Sequence, residues 1–291
     1  MTGPGQLAQL SSEIVEIAAA AARSIVEVAS HQSLASGFIW REGLIVTADE
    51  TLADEGEVLV ELADGTQHRV RVVGRDPSTD IALLALDDIA TQPAALVTEA
   101  PRPGALIVVA AAAESAPLVT FGSAIAVGPA WQSMRGGRID ARIELDLRLR
   151  RRAEGGLALQ TDGRAIGMAV RGPRGKTLVI PSATIERVAA LLLAHGEVPR
   201  GYLGLGLNDV EVDDLGRGAI IVSVDSTGPG AAAAILQGDI ILRWDDAPFH
   251  SVHHAVRALD HTAIGRKIPL TLRRGGQDVE TIVTVGTRQR G

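Results

Sequence analysis

Residues 153–167 read AEGGLALQTDGRAIG. Two strand-like runs, GLALQ (156–160) and AIGMAV (165–170), lie on either side of a polar turn. A glutamate, Glu154, stands just before the paired glycines Gly155 and Gly156. The same texture extends in both directions. Between residues 24 and 181, short apolar runs of strand type are separated by turn signals. Upstream these are GFIW (37–40), GLIVTA (43–48), EVLVEL (57–62), HRVRVVG (68–74) and DIALLAL (80–86). Asp64-Gly65, set between two alternating runs, is a hairpin signal. After Pro101 and Pro103 a second group begins with ALIVVAAA (105–112), LVTFGSAIAVG (118–128) and RIDARIELDLRL (138–149), and it ends with TLVIP (177–181). Two groups of short antiparallel strands predict two small β-barrels.

Helices are expected at the edges of this region. Leu7, Leu10, Ile14 and Ile17 recur at helical spacing and predict an amphipathic helix near the N-terminus. SATIERVAALLLAH (182–195) is a second, with Ser182 as its expected N-cap and Gly196 as its stop. After the short segment GEVPR (196–200), five further strands and two helical stretches, near 229–236 and 251–260, predict a small α+β domain. The expected division is an N-terminal helix at 1–23, a double barrel at 24–195, a linker at 196–200 and a second domain at 201–291.

Composition limits the function classes. At 291 residues the chain can build two substantial cores. A net charge of −7 argues against nucleic acid as the main partner. With no cysteine, disulfides and thiolate metal sites are excluded. IVEIAAAAA (14–22) is interrupted by Glu16 and is too short to span a bilayer. Without a visible leader, the expectation is a cytoplasmic protein, or a periplasmic one if a leader has been removed.

Five segments, in order, resemble the HtrA/Deg family of trypsin-like proteases. GFIWREGLIVTA (37–48) is similar to G-F-I-x-x-x-G-x-I-L-T-N, and GRDPSTDIALL (74–84) to G-x-D-x-x-T-D-I-A-L-L. VTFGSAIAVG (119–128) is similar to V-T-x-G-I-V-S-A-x-G, and residues 153–167 to N-S-G-G-P-L-x-x-x-x-G-x-x-I-G. IPSATIERVAALLLAHGEVPRGYLGL (180–205) is similar to the stretch that leads into the family's PDZ domain. The resemblance implies a mainly β chain: a trypsin-like double β-barrel followed by a small α+β PDZ domain.

It also implies a degenerate active site. Glu50 stands where the family has its histidine, Asp80 at the aspartate position and Glu154 at the serine. A serine protease without nucleophile and base cannot run its chemistry, so no catalytic residue and no enzymatic activity is expected. Arg150-Arg151-Arg152 replaces the family's N-P-G, and Leu157 replaces a proline, in the loop that shapes the oxyanion hole. Ser36 and Ser133, read as loop residues, lie beside no candidate base. All seven histidines miss the base position.

Three carboxylates brought together repel one another and raise at least one pKa. Expected resolutions are a counter-ion from Arg148, Arg151 or Arg152, a bound divalent cation, or rearrangement into solvent. Neither metal nor cofactor is assigned. His250 and His254 are expected to be split by a helix cap near Ser251 rather than to share a metal.

In the PDZ-like part, Tyr202-Leu203-Gly204-Leu205 resembles the family's carboxylate-binding loop, with Leu207 further along the same strand. Backbone N–H groups there would hold a peptide C-terminus, and a glycine lets the chain approach closely. His253, Val256 and Arg257 are candidates for the opposite wall. The function this implies is a non-catalytic adaptor, scaffold or chaperone-like regulator that binds peptide or protein C-termini. An active relative of the family is a further expected partner. With no aromatic residue before Phe38, the family's aromatic trimer contact is not expected; the helix at 6–22 could mediate self-association instead, and dimer, trimer and monomer all stay open. The alternative is a serine-type endopeptidase or other hydrolase using rearranged residues.

Overall fold

In the computed structural model, residues 5–31, 33–87, 89–113, 117–212 and 216–287 are described. The chain divides into two compact units, after Val198.

The first unit opens with helix α1 (Gln6–Ala21). Six strands then close the first barrel: β1 (Ile25–Ser30), β2 (Ser33–Arg41), β3 (Leu44–Thr47), β4 (Val58–Glu61), β5 (Gln67–Asp76) and β6 (Ile81–Ala85), in the order β1-β2-β3-β6-β5-β4. The second barrel starts with β7 (Leu106–Ala111) and β8 (Leu118–Gly128). A small ribbon, β9 (Trp131–Gln132) with β10 (Arg138–Ile139), precedes β11 (Arg142–Leu145), β12 (Leu157–Leu159), β13 (Ala165–Arg171) and β14 (Thr177–Pro181). The barrel closes as β11-β14-β13-β12-β7-β8. Closure pairs every strand edge, which protects short strands from pairing with other chains.

Three cores hold this unit together. Val26, Ile39, Ile45, Val60 and Leu84 fill the first barrel. Ile107, Val109, Ile143, Ile166 and Val179 fill the second. Between the barrels lies a third, with Phe38, Trp40, Leu83, Val108, Leu157 and Met168. Alternation explains the division: on β7, Ile107 and Val109 point into the barrel while Val108 and Ala110 point outward into the shared core. Helix α2 (Ser182–His195) seals that core with Ile185, Val188, Ala189 and Leu192. Its end is fixed by Gly196 at φ 74°, whose N–H donates to the Leu192 carbonyl. Ser182 is not the cap. Pro181 occupies that position, and the Ser182 hydroxyl instead donates to the Ala165 carbonyl at 3.1 Å, a tertiary acceptor that outcompetes the local one. Ile14, Ile17 and Ala21 of α1 pack on the same core, while Leu7 near the helix start is 83% exposed.

The second unit begins with β15 (Gly201–Tyr202), then β16 (Leu205–Val212) and β17 (Gly216–Val224). The short helix α3 (Pro229–Ala232), β18 (Ile240–Trp244) and β19 (Ala247–Pro248) follow. Helix α4 (Val252–Ala258), β20 (Lys267–Arg274), β21 (Gln277–Thr284) and β22 (Gly286–Thr287) complete it. The main sheet runs β16-β17-β18-β20-β21, and β15 pairs with β22. Its core contains Leu203, Ile221, Ile241, Trp244, Phe249, Leu270 and Val283. The order leaves β16 at a sheet edge, with Leu205 and Leu207 half-buried against the core.

Candidate functional site

The first candidate site is formed by the two acidic turns of the first barrel and the loop before β12. Glu50 sits on a one-turn 3-10 helix, Asp49–Thr51. Arg75 fixes that turn: its Nε meets Asp49 Oδ1 at 2.5 Å, and its two terminal nitrogens donate to the carbonyls of Ala53 and Asp49. Asp76 shapes the neighbouring turn by accepting from the hydroxyls of Ser78 and Thr79, both at 2.6 Å. Asp80 follows at φ 58°, a left-handed conformation that Asp tolerates better than most residues. Its carboxylate accepts the Glu50 backbone N–H at 2.9 Å. The Glu50 carboxylate is half-exposed and lies 3.4 Å from Arg135.

Glu154 is 2% exposed. One oxygen accepts from the Arg171 Nε at 2.8 Å and the other from the Arg171 backbone N–H at 3.3 Å. The counter-ion therefore comes from the far strand of the hairpin, not from the expected Arg148, Arg151 or Arg152. Leu157 faces Met168 after a bulge between Ala158 and Leu159, and Gly155 and Gly156 both bond Ala169, so two irregularities of the hairpin set where Arg171 falls.

The three carboxylates share one electrostatic neighbourhood. Burial, opposed only by the Glu50 N–H and reinforced by repulsion from Glu50, Glu154 and Asp49, pushes the Asp80 carboxyl up to about 7. Among the described residues no group of three or more His, Asp or Glu side chains is arranged to hold a metal ion.

The loop at 150–156 is closed on itself. Residues Arg151–Ala153 form a 3-10 turn, in which Ala153 N–H donates to Arg150 O and Glu154 N–H to Arg151 O at 3.1 Å. An amide committed inside its own turn is not aimed at a developing oxyanion. Gly155, at φ 89°, passes so close to β2 that a Cβ there would lie 1.9 Å from the Ser36 carbonyl oxygen.

Ser36 is on β2, not in a loop, and is wholly buried. Its hydroxyl donates to Arg152 O at 2.6 Å and accepts from Ala112 N–H, so it braces the barrels against each other. Ser133 lies in a turn, donating to Ser78 O and accepting from the N–H groups of Arg135 and Gly137.

The second candidate site lies in the second unit. Tyr202 ends β15, and its hydroxyl donates to Asp225 Oδ2 at 2.9 Å. Hydrogen bonds from Thr227 N–H, Tyr202 and the Thr227 hydroxyl hold Asp225 below the usual carboxylate range. Leu203 is buried in the core and its carbonyl accepts from Gly230 N–H at 2.7 Å. Gly204 is at φ 73°, with its carbonyl bonded to Asp225 N–H. Among the described residues the N–H groups of Leu203 and Gly204 have no acceptor. Such a pair, next to an open strand edge, suits a carboxylate followed by an extended peptide.

Helix α4 is joined to that strand at its start, where Val252 N–H donates to Asp209 Oδ1 at 2.7 Å. Ser251 caps the helix by accepting from His254 N–H, so His250 falls outside it; the two histidine rings meet edge-on at 5.7 Å. Val256 is 56% exposed and His253 is exposed, whereas Ala255 faces the core. Asp209 and Asp225, which position these elements, carry no sequence signal beyond being acids in or beside strands.

A double β-barrel followed by an α+β unit with this loop defines a trypsin-like peptidase fold joined to a PDZ domain. Comparison with known proteins agrees: a trypsin-like peptidase domain matches residues 35–168 and a PDZ domain matches residues 201–285. The chain carries a trypsin-like peptidase domain and a PDZ domain, and it is similar to DegP-like and HtrA-type proteases. It is 29% identical, over 86% of its length, to a probable periplasmic serine endoprotease DegP-like protein of Brucella suis. It is 28% identical, over 88%, to the periplasmic pH-dependent serine endoprotease DegQ of Escherichia coli. It spans about half the length of such curated relatives, 52% of the first and 60% of the second. Among solved structures, a serine endoprotease from Yersinia pestis matches 95% of the chain at TM-score 0.73 and 26% identity, covering 98% of that chain. The HtrA-type protease AlgW with a tripeptide matches 96% at TM-score 0.70 and 25% identity, covering 98% of that chain.

Proposed function

We propose that this chain is a non-catalytic member of its family, which binds peptide or protein C-termini through its PDZ domain and acts as an adaptor or regulator. The observation that carries the reading is the fate of Glu154. At the position that resembles the family's nucleophile, a carboxylate is buried on Arg171 and its own N–H is consumed by the preceding turn. A carboxylate in an ion pair has no proton to give up and no base beside it, so acyl transfer has no starting point there.

Peptide binding is supported by the two N–H groups of Leu203 and Gly204, by the edge position of β16, and by the peptides named with the AlgW structures. Tyr202, Leu205 and Leu207 would line the seat, with His253 and Val256 opposite. Leu203 acts through its backbone, since its side chain belongs to the core. The compartment we assign is the periplasm, on the names of the relatives.

The second reading, a serine endopeptidase with rearranged residues, is favoured by those names alone. Fluorophosphonate labelling of the full chain separates the two. The adaptor reading expects no labelling. Labelling abolished by Ser133→Ala would establish the enzyme instead.

A further inference from the structure

Of the arginines expected to neutralise Glu154, Arg148 and Arg151 are exposed and hold no carboxylate among the described residues. Residues 144–154 and 171–176 carry seven Arg and Lys side chains against three carboxylates, in a chain whose net charge is −7. These two segments are neighbours. The Thr177 hydroxyl donates to Leu147 O at 2.8 Å, Arg171 holds Glu154, and Lys176 holds Glu144 at 2.7 Å. Two of the three acids are thereby used up. Arg148, Arg150, Arg151 and Arg174 are all exposed, and none is paired with a carboxylate among the described residues.

The setting of this patch is as informative as its sign. The loop is laid along β8, where Asp146 N–H donates to Ser123 O at 2.9 Å. Two residues away on that strand, Phe121 is 55% exposed, and Ile125 is 52% exposed. The Asp146 contact brings the start of the arginine-bearing loop against the strand that carries Phe121 and Ile125, so charge and exposed apolar side chains share this side of the barrel. Arginine forks suit carboxylates as bidentate partners, and the apolar neighbours suit side chains of the same segment. A phosphodiester backbone would use only the charge, and the chain's overall negative field works against its approach.

We infer that this rim of the second barrel is a docking surface for an acidic, apolar-studded segment of a partner protein, separate from the PDZ groove.

The test uses the full chain and a fluorescein-labelled 15-residue peptide of Asp and Glu with interspersed Leu, amidated at its C-terminus so that the carboxylate loop cannot hold it. Anisotropy at low salt should show binding that weakens at least fivefold at 0.3 M NaCl, on the order expected for screened charges. Arg148→Glu/Arg150→Glu/Arg151→Glu should weaken it at least tenfold, and Arg174→Glu alone about threefold. Both variants alter exposed residues; circular dichroism and binding of a free-acid apolar peptide report on their folding and on the groove. Should the triple variant unfold, Arg174→Glu and the salt series decide between the outcomes. Equal binding by the charge-reversed variants would overturn the proposal. So would tighter binding of a 15-nucleotide single-stranded DNA, or of phosphatidylglycerol vesicles, than of the peptide.

Discussion

The two candidate sites treat their polar groups in opposite ways. At the acidic site of the barrels, hydrogen-bonding capacity is spent internally: Glu154 on Arg171, Asp80 on the Glu50 amide, the Glu154 amide on Arg151. At the loop 202–205 of the PDZ unit, the N–H groups of Leu203 and Gly204 have no acceptor among the described residues and lie beside an unpaired strand edge. A site that has satisfied itself has nothing to offer a ligand, whereas one that holds unsatisfied donors in place by packing is ready for one. The difference locates the proposed working surface in the second unit.

Two glycines give the sharpest contrast. Gly155→Ala would drive a Cβ to 1.9 Å from Ser36 O at a left-handed backbone position, so it should cost more than about 4 kcal/mol. At Gly204 the corresponding Cβ would lie 3.1 Å from Gly228 Cα. Gly204→Ala should therefore cost about 1–2 kcal/mol and leave a folded chain that binds peptide at least tenfold more weakly. Urea denaturation and peptide anisotropy read the two effects. Equal stability losses would break the contrast.

The ion pair is unequal in its own way. Arg171 is half-exposed and can turn to water, but Glu154 cannot. Arg171→Ala strands a buried charge and should cost about 3 kcal/mol. Glu154→Gln removes the charge but keeps an acceptor, and should cost about 1 kcal/mol. The ratio of the two losses in urea denaturation checks that the pair closes the site rather than serving a reaction.

Asp80 gives a pH signature. Its folded pKa of about 7 lies above the unfolded value, which is about 3.9. Between these values the native chain holds a proton that the unfolded chain has lost, so unfolding free energy falls as pH rises from about 4 to 7. About three pKa units at about 1.4 kcal/mol each put the full loss on the order of 4 kcal/mol. Asp80→Asn keeps an acceptor for the Glu50 amide and tolerates the left-handed backbone. It should flatten this slope and stabilise the chain at pH 8, while leaving peptide binding unchanged. An unaltered slope would show that Asp80 is not the group that carries the pH dependence.

Much of this is legible in the sequence, because closed barrels need alternation and turn glycines, and both are visible in segments such as EVLVELADGTQHRVRVVG. The convergence of residues 50, 80 and 154 is legible only through the resemblance to the HtrA/Deg family. What escapes are pairings set by tertiary register. Ser182 has the look of a cap because its acceptor, Ala165 O, lies across the sheet. Ser36 has the look of a loop residue because its neighbours are small and polar, yet it is a buried brace. Arg171 is hidden behind arginines nearer to Glu154 in sequence, and the bulge between Ala158 and Leu159 that sets its place carries no sequence signal.

The most direct test follows one peptide over time. The full chain is mixed with a labelled peptide ending in a free apolar residue, with the C-terminal amide as its control, and anisotropy is recorded for several hours. A rise with the free acid only, which then holds steady, is the predicted result. No rise, an equal rise with the amide, or a rise that decays as the peptide is cut would contradict a PDZ adaptor without proteolysis.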